Sequence, residues 1–147
     1  MMKTVYILNG PNLNTLGRRE PHIYGHTTLA QIQQLCDRVA DGLQLACDFR
    51  QTNHEGVMVD WIQEAFEQGA PLIINPAGLS FHSISVLDAL KLIEAPLVEL
   101  HLSNIHARDE LHRHSIMSTV VDGVICGLGA AGYELALRAV AALLETR

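Results

Sequence analysis

The 147-residue sequence is short of cysteine, of positive charge and of long apolar runs, and each shortage removes a class of protein. Its three cysteines, Cys36, Cys47 and Cys126, are odd in number and widely spaced, and no Cys-x-x-Cys pair occurs. That pattern reads as free, mostly buried thiols in a reducing cytosol. No apolar run approaches the roughly 20 residues of a membrane span, and the start, Met1-Met2-Lys3-Thr4-Val5, lacks a secretory pattern. A cytoplasmic protein is therefore expected. With 16 acidic against 10 basic side chains the net charge is −6, which argues against a general nucleic-acid binder. What is present is a globular composition, 48% hydrophobic and 18% charged. Residues 1–147 suit one compact domain that buries roughly two thirds of its unfolded surface.

Strand and helix patterns alternate along the chain. Thr4 to Leu8 is a short β-rich run that breaks at Asn9-Gly10-Pro11-Asn12. A polar, Arg-rich stretch to about Thr27 shows no helical period and reads as a long loop. Thr28 can cap a helix with Leu29, Ile32, Leu35, Cys36 and Val39 at three-and-four spacing. Ala46 to Gln51 reads as a second strand, followed by a helix with Val59, Ile62, Ala65 and Phe66 on one face. Pro71 to Pro76 is a third strand, and Ser80 or Ser83 opens a helix with Ile84, Leu87, Leu90 and Ile93 inward. Pro96 to His101 gives a fourth strand, Val120 to Cys126 a fifth, and Ala130 to Glu145 a closing helix. Buried strands with few polar interruptions imply a parallel sheet covered on both faces. The expected fold is α/β, a flavodoxin-like doubly wound five-stranded parallel sheet, with ligands outside the carboxyl ends of the strands.

Polar residues collect where strands end: Asn9 and Asn12, Asn53 and His54, Asn75, then His101, Ser103 and Asn104. Gly127-Leu128-Gly129-Ala130-Ala131-Gly132 imitates a dinucleotide fingerprint, but too few residues follow for the next strand and its ribose-binding acid. Close helix–sheet packing and a turn are the better reading of those glycines. His101, His106, His112 and His114 cluster without metal-ligand spacing, so no metal is expected. Ser80, Ser83 and Ser103 lack a nucleophile elbow. Proton chemistry remains. Arg18 and Arg19 precede Tyr24 by five or six residues, and a guanidinium near a phenol lowers its pKa from about 10. Glu99 lies two residues before His101 on the same strand face, where a carboxylate fixes the imidazole as a proton donor. A base and an acid on opposite walls of one pocket suggest elimination of water or enolisation.

Leu8-Asn9-Gly10-Pro11-Asn12-Leu13-Asn14, Leu16-Gly17-Arg18-Arg19-Glu20-Pro21 and Tyr24-Gly25 resemble the opening of the type II 3-dehydroquinate dehydratases. So do Gln51 to Gly56, Ile74-Asn75-Pro76, Glu99 to Arg108 and Gly127-Leu128-Gly129, and the match runs end to end. The resemblance implies a dodecamer built from trimers, no metal or organic cofactor, and reversible anti elimination of water from 3-dehydroquinate through an enolate. It implies Tyr24 as the base, Arg19 as its electrostatic partner and Asn12 as the residue orienting a water on the enolate. His101, positioned by Glu99, is then the acid. Backbone amides of Leu102 and Ser103 hold the substrate carboxylate, Asn75 binds ring hydroxyls, and Asp88 reaches toward a neighbouring subunit's site.

Two positions depart from the family pattern. Ser80-Phe81-His82-Ser83 stands where the family has Thr-His-Thr-Ser, and His112 stands where it has arginine, with Arg113 next. His82 and Arg113 are expected to supply the missing contacts beside His112. The departures leave open a divergent paralogue with a related cyclic hydroxy-acid substrate, or a non-catalytic binding or regulatory protein. They also leave open a role in aromatic biosynthesis or in quinate breakdown.

Overall fold

The computed structural model describes residues 2–147. At its centre β1 (Lys3–Asn9) buries Val5 and Ile7 on one face and Tyr6 and Leu8 on the other. The remaining strands are β2 (Leu45–Gln51), β3 (Leu72–Asn75), β4 (Leu97–His101) and β5 (Gly123–Cys126). All pair in parallel, in the order β2-β1-β3-β4-β5. The chain winds one way from β1 to β2 and the other way from β3 onward. That reversal leaves a crevice beyond the carboxyl ends of β1 and β3, the usual ligand position in such sheets.

Helices cover both faces. On one, α2 (Leu29–Gly42) and α5 (Ala131–Thr146) set Ile32, Cys36, Ala40, Ala136, Leu137 and Val140 against Val5, Ile7, Ile73 and Leu100. On the other, α3 (Glu55–Glu67) and α4 (Ile84–Leu90) set Met58, Ile62, Ala65, Val86 and Leu90 against Tyr6, Leu8, Leu72 and Ile74. Thr28 caps α2 in a reciprocal box. Its hydroxyl accepts the Gln31 amide at 3.2 Å, and the Gln31 side chain accepts the Thr28 amide at 2.9 Å.

Three expectations need correction. The stretch after β1 is not structureless: Leu13–Thr15 forms a 3₁₀ turn and Pro21–Tyr24 a single helical turn, α1. Pro21 starts that turn with its backbone angle preset, and one turn is too short to show a period. Ile84 is 60% exposed, because α4 begins with it at the Ser83 cap and turns Val86, Ala89 and Leu90 inward instead. The fifth strand starts at Gly123 rather than Val120, since Asp122 is engaged at the start of β4, its carboxylate accepting the Leu97 amide at 2.8 Å.

Of the glycines around the start of α5, Gly129 turns the chain with φ 61° and Gly132 serves packing. A Cβ on Gly132 would lie 2.8 Å from Leu100 Cδ1, so α5 crosses the sheet at a distance that no larger residue allows without a shift. The tightest approach is at Gly10, where a Cβ would lie 2.4 Å from the Pro76 carbonyl oxygen. There the segments leaving β1 and β3 touch backbone to backbone. Gly10→Ala is expected to cost about 1–3 kcal/mol by forcing those segments apart. Urea unfolding at neutral pH checks this, and an unchanged midpoint would contradict the contact.

Candidate active site

The ends of β1, β3 and β4 converge on a cavity of about 130 Å³. The segment after β1 contributes Asn12, Leu13, Arg19 and Tyr24, and the segment after β3 contributes Asn75, Ala77 and Phe81. From β4 and its loop come His101, Leu102, Ser103, Arg108 and His112. The polar cluster after β2 serves differently. Asn53 Oδ1 accepts the Asn12 amide at 3.0 Å and the Gln51 side-chain amide at 3.0 Å, which braces the Asn12 loop from behind. His54 is exposed and contributes nothing to the cavity wall. Asn12 and Ala77, both in the cavity wall, hold left-handed backbone at φ 71° and 52°.

On the β4 side, His101 Nε2 is hydrogen-bonded to Glu99 Oε2, and both residues are buried. The Ser115 hydroxyl donates to Glu99 Oε2 at 2.6 Å and the Ser118 hydroxyl to Oε1 at 2.6 Å. Burial alone would raise the Glu99 carboxyl. The hydrogen bonds from His101, Ser115 and Ser118 together outweigh it and hold the carboxyl below its ordinary range. A carboxylate so held keeps the imidazole in one orientation. Sequence reading missed both serines.

In the same cavity, the Arg19 guanidinium lies 4.8 Å from the centre of the Tyr24 ring and that of Arg108 lies 5.4 Å from it. Two cations thus lie against the Tyr24 ring. Arg108 was quoted in the sequence only as part of a motif, with no role. It is held in place by Arg113, whose Nε and Nη2 donate to the Arg108 carbonyl at 3.0 and 2.6 Å.

That bracing removes Arg113 from the cavity, since its remaining Nη1 pairs with Glu110 at 3.0 Å. His82 is likewise exposed and outside the wall. The positions that reach the cavity are Phe81 and His112. The Phe81 ring stacks 6.5 Å from His101 and meets His112 edge-on at 5.7 Å. His82 and Arg113 thus do not replace them as wall residues, as the sequence had suggested. Asp88 lies on the exposed face of α4 and pairs with Lys91 at 3.4 Å, away from this chain's cavity.

The parallel five-stranded sheet carries one cavity lined by both the carboxylate-held imidazole of His101 and the phenol of Tyr24. Residues 3–141 match the family model described as Dehydroquinase class II. The chain is 56% identical to a 3-dehydroquinate dehydratase of Brucella canis, over 99% of this chain and 92% of that protein. It superposes on the type II dehydroquinase of Propionibacterium acnes with a TM-score of 0.94 and 46% identity, covering 97% of this chain and 98% of the other. A 3-dehydroquinate dehydratase-like protein from Bifidobacterium longum is more distant, at a TM-score of 0.75 and 31% identity, covering 98% and 99% of the two chains. The chain belongs to the class II dehydroquinase family.

The depressed Glu99 carboxyl stabilises the fold fully above the ordinary glutamate range, and that stabilisation is lost as pH falls through its lower folded value. Ser118→Ala is expected to cost about 1.5–3 kcal/mol at pH 7, the value of a hydrogen bond to a charged group. Urea unfolding of both proteins over a pH series should show the cost shrinking as Glu99 protonates. A cost independent of pH would mean that Ser118 acts on something other than the carboxylate charge.

Proposed function

We propose that the cavity binds 3-dehydroquinate and eliminates water from it to give 3-dehydroshikimate, reversibly and with anti geometry. The observation that carries this reading is that two groups fitted to proton transfer line one cavity of a class II dehydroquinase chain. One is His101 held by Glu99, and the other is Tyr24 with the Arg19 and Arg108 guanidiniums against its ring.

Tyr24 removes the proton from the carbon beside the ketone, and the electron pair moves onto the carbonyl oxygen as an enolate. A water oriented by Asn12 donates a hydrogen bond to that oxygen. The enolate collapses, the carbon–oxygen bond to the leaving hydroxyl breaks, and His101 supplies the proton that lets it depart as water. The steps move protons and one water, with no change of oxidation state, so the chemistry calls for no redox cofactor. Backbone amides of Leu102 and Ser103 receive the substrate carboxylate, and Asn75 receives a ring hydroxyl. His112 and Phe81 close the wall on the acid side. Net negative charge is no obstacle to an anionic substrate, because local donors set the potential in the cavity.

The family reading also supports a dodecamer of trimers in the cytoplasm, with the exposed Asp88 turned to a neighbouring subunit's site. Light scattering at micromolar concentration is expected to give a particle of about twelve chains, and a monomer would remove the basis for the role of Asp88. For the chemistry, appearance of the conjugated enone in the ultraviolet reports turnover. Tyr24→Phe and His101→Ala are each expected to lower kcat by about 10²–10⁴-fold, the usual worth of a positioned base or acid. Near wild-type kcat in Tyr24→Phe would show that another group takes the proton.

A further inference from the structure

Behind the cavity, three buried polar side chains form a line from the sheet backbone to the substrate wall. Asn9 Nδ2 donates to the Arg50 carbonyl at 2.9 Å. The Tyr133 hydroxyl donates to Asn9 Oδ1 at 2.6 Å, and Asn75 Nδ2 donates to the Tyr133 oxygen at 2.9 Å. Asn9 and Tyr133 are 0% exposed and Asn75 is 3% exposed. Asn9 ends β1, Asn75 ends β3, and Tyr133 comes from the first turn of α5, so the line crosses three elements.

Its direction is not free. A backbone carbonyl has no hydrogen to give, so Asn9 must turn its NH₂ toward Arg50 and its carbonyl oxygen toward Tyr133. The phenol has a single hydrogen, and Asn9 takes it. Toward Asn75 the phenol can then only accept, so Asn75 must turn its NH₂ inward. Its Oδ1 is left on the opposite side of the amide. Asn75 lines the cavity, and among the described residues Oδ1 has no hydrogen-bond partner. Burial pushes the Tyr133 phenol above its ordinary value, which keeps the hydrogen on the hydroxyl.

We propose that Tyr133 and Asn9 are positioning residues that fix the Asn75 amide with its carbonyl oxygen toward the substrate, so that this subsite selects a hydroxyl able to donate a hydrogen bond. The inference rests on the reading of the cavity as a 3-dehydroquinate site and adds the polarity of one contact to it. A carbonyl, an ether or a fluorine at the same ring position offers Asn75 no hydrogen and leaves Oδ1 unpaired.

The test uses the intact enzyme and a panel of competitive ligands: quinate, its analogues lacking one ring hydroxyl each, and the matching monofluoro analogues. Fluorine accepts weakly but cannot donate. In the wild type, one ring position is expected to lose about tenfold or more in affinity on deoxygenation, with fluorine no better than hydrogen there. Tyr133→Phe frees the Asn75 amide to turn. Asn9→Ala keeps the phenol but lets its hydrogen rotate toward Asn75. Both are expected to raise KM for 3-dehydroquinate more than they lower kcat, and to shrink the hydroxyl-over-fluorine preference at that position. Asn75→Ala should abolish the preference altogether. A merely structural loss would weaken every ligand of the panel alike and leave the preference intact, so that result overturns the proposal. So does a wild type that binds the fluoro analogue as well as the hydroxyl at every position. If the wild type turns over 3-dehydroquinate but shows no such preference, the polarity inference fails and the substrate reading stands. If it neither turns over 3-dehydroquinate nor binds any member of the panel, both fail.

Discussion

Parallel pairing of β1 between β2 and β3 is the constraint on which the rest of the molecule depends. It places the reversal of winding at β1, and it forces Asn9-Gly10 and Asn75-Pro76 to leave the sheet side by side. Gly10 permits their backbones to touch, and its amide donates to the Asn75 carbonyl at 2.8 Å. With that contact made, the segment carrying Arg19 and Tyr24 can pass over the ends of β3 and β4. The cavity is the space left between it and the strand ends. The Tyr24 side of the site is thus borne on a folded-back connection, and the His101 side on a strand.

The two sides are held by different physics. Glu99 carries its charge in the interior, where burial works against it, and three hydrogen bonds restore the balance. Such a buried pair is not an economical way to stabilise a fold, since apolar residues of the same volume often serve as well or better. What it provides is a fixed imidazole. Tyr24 is half-buried and lies under two guanidiniums, one of which is tied down through its own backbone carbonyl by Arg113. His101 is held from within the sheet, while Tyr24 is flanked from the surface.

Much of this was legible in the residues. Buried parallel strands read as uninterrupted apolar runs, and those ending in Asn9-Gly10, Asn75-Pro76 and His101 declare both the strand and its polar end. Thr28 announces the start of α2 as a cap residue. The one-turn α1 and the 3₁₀ turns carry no period, and in α4 the spacing of Ile84, Leu87 and Leu90 competes with that of Val86, Ala89 and Leu90. Choosing between those faces takes the sheet itself. The supports of the site were invisible for a simpler reason. Ser115 and Ser118 lie 16 and 19 positions from Glu99, and Tyr133 lies 58 from Asn75 and 124 from Asn9, distances at which no local pattern exists. The Phe81 and His112 positions were visible as departures. Their outcome was not, because which of two adjacent side chains faces a cavity is decided by turns such as Ala77–Phe81 and Glu110–His112.

Ala77 holds a left-handed backbone where glycine would be relaxed, at φ 52°. A conformation of that kind in a residue with a Cβ costs on the order of 1–3 kcal/mol. Glycine there would relieve it and also give the wall many shapes, each of which binding would have to narrow to one. The alanine transfers that narrowing to the folding step, when the chain's entropy is being lost in any case. The substrate then meets a wall whose disorder has already been removed, so less of its binding free energy goes into ordering the protein.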